Sequence, residues 1–167
     1  MVTMLIISIL LAVALPAIAI WKTKEIPHSI SSLVELFDGN KKWLWSIWLW
    51  LVTFTLAPAL IESIPDAWKV VGFAMLLCLI LTGAMPLFDK EHETYHNYFS
   101  IAAGVLSQIC VLLVCPWFLL LWIVVGVLVW LNYKDGGGVR VFLDERATFI
   151  CEATCMLTTY FALFVTV

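Results

Sequence analysis

Residues Tyr98 to Tyr133, YFSIAAGVLSQICVLLVCPWFLLLWIVVGVLVWLNY, form 36 consecutive positions without a charge. As one helix this stretch would be about 54 Å long, against a bilayer core of about 30 Å. Cys115-Pro116-Trp117 lies at its middle. Proline cannot continue the helical hydrogen-bond ladder, and tryptophan suits a membrane interface. The stretch is therefore predicted to be two antiparallel helices, 98–115 and 117–133, joined by a tight turn.

The rest of the chain reads the same way. Of 167 residues, 63% are hydrophobic and 13% charged, where a soluble domain is roughly half apolar and about a quarter charged. Mean hydropathy is +1.05. These values exclude disorder, a coiled coil, a nucleic-acid binder and an ordinary soluble enzyme. Further apolar runs cover about 2–20, 43–61, 70–88 and 147–167. The expected fold is all-α, a single transmembrane domain over 1–167 with six spans and short loops. The first run ends in Ala17-Ile18-Ala19, a signal-like pattern, but no basic residue precedes it, so it reads as a retained helix. Trp43, Trp45, Trp48 and Trp50 open the second span and are expected to anchor it at the interface.

The basic residues set the expected threading. Lys22, Lys24, Lys41, Lys42, Lys90, Lys134, Arg140 and Arg146 fall in the connections 21–42, 89–97 and 134–146. Only Lys69 falls on the other side. Eight against one predicts a multi-pass plasma (inner) membrane protein, with those three connections cytoplasmic and both termini outside. Within the first connection, Ile30, Leu33, Val34 and Phe37 follow helical spacing between Pro27-His28-Ser29 and Gly39. This predicts an amphipathic helix near 29–37, lying on the inner surface or folded back as a lid over the bundle.

Three features carry candidate chemistry. In Asp89-Lys90-Glu91-His92-Glu93-Thr94-Tyr95-His96, residues 89, 92, 93 and 96 share one face if a helix starts near Asp89. His92 and His96, with Asp89, have the spacing of a divalent-metal site such as zinc. The same residues also suit a solvated loop, with Asp89 and Glu91 favouring the dipole of a following helix. That face continues inward as Ser100, Ala103, Gly104 and Ser107, small and polar residues suited to helix packing. Glu152, about 9 Å along the axis past Arg146, is the second feature. Thr148, Glu152, Cys155 and Thr159 form one stripe. An intramembrane carboxyl should face the bundle or water, either in a site or as a protonated group bonded to a neighbouring helix. The third is a gathering of His28, Ser31, Arg140, Asp144, Glu145 and Arg146 at the same membrane side. The cysteines, Cys78, Cys110, Cys115, Cys151 and Cys155, have no zinc-type spacing and read as packing residues.

Two functional classes fit. The favoured one is non-enzymatic: a carrier, a proton-linked pore using Glu152, or an accessory subunit. Its expected partners are membrane lipids and a second copy or another membrane protein, not nucleic acid. The other is a metal-dependent hydrolase of a lipid or amide at the cytoplasmic leaflet. There His92, His96 and Asp89 would hold the metal, and Glu152, Asp89 and Glu93 would move protons.

Overall fold

The structure is a computed structural model. It describes residues 1–37, 41–85, 93–134 and 138–167, and among these the side chains of all but 93, 129, 131–134 and 138–145. Among the described residues six α-helices follow one another: α1 (Val2–Thr23), α2 (Trp43–Ser63), α3 (Lys69–Ala84), α4 (Glu93–Val114), α5 (Leu120–Lys134) and α6 (Gly138–Thr166). There is no strand among the described residues. Five helical segments are long and apolar enough to cross a membrane: Val2–Thr23, Trp43–Ser63, Asp66–Ala84, Thr94–Val114 and Arg146–Thr166. The apolar helix Pro116–Leu128 is shorter.

The break within the uncharged run falls where proline puts it. α4 ends at Val114, and Pro116–Leu119 forms a 3-10 turn with Pro116 in its first position. The missing N–H is harmless there, because a first-turn amide has no intrahelical partner. α5 then packs on α6, and its Trp122 reaches Gln108 of α4. α4 already begins at Glu93, five residues before the expected span, and two further differences bear on the site. α6 begins at Gly138 rather than near 147, so most of the 134–146 connection is helical, and Gly136 and Gly137 precede it. The region near 29–37 is a six-residue 3-10 helix, Ser31–Leu36, rather than a surface α-helix. Its Leu33 is buried and packs with Ala19 of α1 and Trp45 and Leu49 of α2. The apolar stripe thus turns into the bundle, which corrects the expected interfacial placement in favour of the folded-back one.

Three of the four tryptophans that open α2 also pack against neighbouring helices. Trp43 is exposed, but Trp45 is buried at 1%. Trp48 donates its indole N–H to the Leu11 carbonyl of α1 (2.7 Å), and Trp50 donates to Ile80 of α3 (3.0 Å). An apolar ring with one N–H can bond a helix backbone as readily as a headgroup. Gly83 leaves room for this, since a Cβ there would stand 2.7 Å from Trp50 Nε1. On the opposite side of α2, Ser8, Ala12 and Ala19 form the buried face of α1, and small residues of this kind let two helices approach closely.

Candidate functional site

The site grows from the two stripes read in the sequence. Ser100, Ala103, Gly104 and Ser107 of α4, and Thr148, Glu152, Cys155 and Thr159 of α6, all line one cavity of about 700 Å³. Across from them stand Trp45, Leu49, Val52 and Leu56 of α2 and Met75, Leu79 and Thr82 of α3. Ser29, Ile30 and Ser31 form its roof at the end of the bundle where α2 begins and α6 enters. We refer to it as the chamber.

Its walls carry hydroxyls, and three of these face their own helices. Ser107 Oγ donates to the Gly104 carbonyl (2.6 Å), Thr82 Oγ1 to Cys78 (2.8 Å) and Thr159 Oγ1 to Cys155 (2.7 Å). Such bonds to carbonyls three or four residues back leave the hydroxyl proton occupied and turn the methyl or methylene outward. At one wall Gln108, the only glutamine of the chain, holds three helices together. Its Nε2 donates to Ser107 Oγ (2.9 Å), while its Oε1 accepts from Trp122 Nε1 of α5 (2.8 Å) and Thr158 Oγ1 of α6 (3.1 Å). The sequence reading passed over it. A lone amide inside an uncharged span is the signal, because it must find partners on other helices.

Glu152 is half-buried and turns toward the first connection. Its carboxyl accepts a short hydrogen bond from the Ile30 amide and one from Ser31 Oγ (3.2 Å). Those groups open the 3-10 helix Ser31–Leu36, whose first amides have no internal partner. Beside it, the Phe149 amide donates to the His28 carbonyl (3.0 Å), and Arg146 Nη1 lies 2.7 Å from His28 Nδ1. The connection is therefore fastened to α6 at His28, Ile30 and Ser31. Beneath it sits a second, smaller cavity of about 290 Å³ lined by Glu25, Pro27, His28, Leu33 and Arg146 among others.

The remaining candidates are dispersed. His96 packs its ring against Trp45, centroids 5.8 Å apart. Asp89 and His92 lie outside the described residues, as do the side chains of Glu93, Arg140, Asp144 and Glu145. Among the described residues no group of three or more His, Cys, Asp or Glu is arranged to hold a metal. Cys151 is exposed, and Cys155 Sγ approaches the Gly104 carbonyl at 3.9 Å.

No family model, curated protein or solved structure matches this chain.

Proposed function

We propose that this chain is a non-enzymatic, six-span protein of the plasma (inner) membrane that works as a carrier, holding a ligand inside its bundle. The observation that carries the reading is the chamber. About 700 Å³, lined mainly by apolar and aromatic side chains with several polar groups among them, has the size and character of a small-molecule site. The sixth span rests on arithmetic. α5 has 15 residues, about 22 Å, and the 3-10 turn leading into it adds about 8 Å, which together match the hydrocarbon core. The eight-to-one division of Lys and Arg supports cytoplasmic connections at 21–42, 89–97 and 134–146, with both termini outside. Membrane lipids, and a second copy or another membrane protein, are the partners this reading implies. The alternative, a metal-dependent hydrolase on Asp89, His92 and His96, rests on the sequence spacing alone, since Asp89 and His92 lie outside the described residues.

Extraction of the purified protein with organic solvent tests the carrier reading. Mass spectrometry should find a small molecule in near-stoichiometric amount, falling at least tenfold in Ala103→Phe, which fills the chamber from a buried position of α4. A chain that co-purifies with nothing and retains no added probe ends the proposal. The threading has its own test: a reporter fused after Val167 should be active only if it requires export.

A further inference from the structure

Building on the carrier reading, we propose that the chamber takes an uncharged long-chain lipid whose headgroup carries both a hydroxyl and a carbonyl, and that this lipid enters sideways from the bilayer. Four observations converge on that class. The first is entry. Ile101 and Val105 of α4 line the chamber yet are 65% and 56% exposed, so its rim opens on the outer, apolar surface of the bundle. A molecule arriving there must be soluble in hydrocarbon.

The second is the wall. With Ser107, Thr82 and Thr159 bonded to their own helices, the wall formed by Leu49, Val52, Leu56, Met75 and Leu79 offers hydrocarbon surface to a chain.

The third is charge. No Lys, Arg or His lines the chamber among the described residues, and its one Asp or Glu is Glu152. An anionic head would meet an acidic group with no counter-cation in a medium of low dielectric.

The fourth is the hydrogen-bond inventory at the roofed end. Trp45 lines the chamber, is 1% exposed, and its Nε1 has no partner among the described residues. A buried indole N–H is a donor only and calls for an acceptor such as a carbonyl oxygen. Glu152 accepts from Ile30 and Ser31, and a carboxylate has about four acceptor positions. It can accept a further hydrogen bond from a lipid hydroxyl. A fully buried unpaired donor and an acceptor with spare capacity, beside the further polar side chains Asn97, Ser100 and Thr148 and next to an apolar wall, describe the complement of a hydroxyl-bearing ester or amide lipid. A lipophilic cation would satisfy Glu152 but leave the Trp45 N–H unmet.

The test uses the full chain in nanodiscs and three probes. A monoacylglycerol with a diazirine in its chain should crosslink to chamber residues of α2, α4 and α6, mapped by peptide mass spectrometry. The matching lysophosphatidate, identical but for its anionic head, should label at least tenfold less. Tetraphenylphosphonium should not compete. Trp45→Phe should weaken monoacylglycerol labelling about fivefold, the weight of one hydrogen bond, while leaving a diazirine alkane unaffected. The probe series on the unaltered chain decides the matter even if that variant fails to fold. Equal labelling by lysophosphatidate, or displacement by tetraphenylphosphonium, overturns the ligand class and leaves the carrier reading standing. Labelling confined to the outer surface with every probe overturns both.

Discussion

α2 has two different neighbours, and the polar groups around it behave differently on each side. Toward α1 and α6 they reach across helices. Ser8 Oγ donates to the Val52 carbonyl of α2 (3.0 Å) and lies 2.8 Å from Tyr160 Oη of α6, while Trp48 bonds Leu11. Leu5, Ala12 and Ala59 there are 0–1% exposed. Toward α3 and α4, Trp50 still bonds the Ile80 carbonyl, but the hydroxyls of Thr53, Thr82 and Ser107 turn back on their own helices and a cavity remains. In lipid there is no hydrophobic force between helices, so contact and cross-helix hydrogen bonds decide where a bundle closes. The seam is closed by both. The chamber lacks cross-helix bonds along most of its walls, and Glu152 and Gln108 supply them at its edges.

The largest effect is expected at the roof, where the first connection bonds α6. Glu152→Ala removes the acceptor of the Ile30 amide and Ser31 Oγ. Hydrogen bonds to a charged group contribute about 1.5–3 kcal/mol each, so the connection should detach while the helices stay packed. Labelling of Leu33→Cys by a maleimide should then speed up at least tenfold over the same cysteine beside an intact Glu152. Unchanged labelling would mean that Leu33 packing alone holds the roof.

The next effect separates the two sides of α2 directly. Leu5→Ala opens a new void in the seam and should cost roughly 2 kcal/mol in a detergent-unfolding or steric-trapping assay. That is the low end for a buried leucine, because unfolded helices stay solvated by lipid. Leu56→Ala only widens a chamber that is already there, and should cost less than about 1 kcal/mol. Equal costs would show that the chamber is filled by side-chain motion and is no cavity in solution.

Much of this comparison was written in the sequence, and some was not. Pro116 disclosed the α4–α5 break because its chemistry is local. The stripes Ser100–Ser107 and Thr148–Thr159 disclosed the chamber walls because helical spacing fixes which residues share a face. Composition disclosed five membrane-length apolar helices in the same way. The burial of Trp45, the inward turn of Leu33 and the partners of Glu152 were hidden, since each depends on which helices become neighbours. Ser8-xxx-Ala12 was legible as a close-packing pattern but names no partner. Asp89 and His92 lie outside the described residues, so the histidine cluster gains nothing from the fold beyond the position of His96.

Within the seam, Ser8→Ala should come third. It removes two cross-helix contacts, and such bonds average about 0.6 kcal/mol each in membranes, so the loss should be about 1 kcal/mol. Tyr160→Phe should cost about half as much, because Ser8 keeps the Val52 carbonyl. A silent Ser8→Ala would assign the closure of the seam to Ala12 and Ala59 alone.

The smallest effect belongs to the chamber wall and is the sharpest test of the contrast. Thr159 is 4% exposed and its hydroxyl is bonded to Cys155, four residues back on α6. A hydroxyl bonded to its own helix backbone adds no contact between helices, and can even bend the helix slightly. Thr159→Val keeps the β-branched shape and replaces only that hydroxyl, so its cost should stay below about 0.5 kcal/mol, the range of substitutions that break no network. Ser8 and Thr159 are both buried polar residues of spanning helices, and side-chain burial alone would rank them together. Only the direction of the hydroxyl separates them. If Thr159→Val matched Ser8→Ala in cost, the Thr159 hydroxyl would have to bridge the chamber to α2 or α3 in the membrane. The chamber would then be a second closed seam, too narrow for a lipid chain.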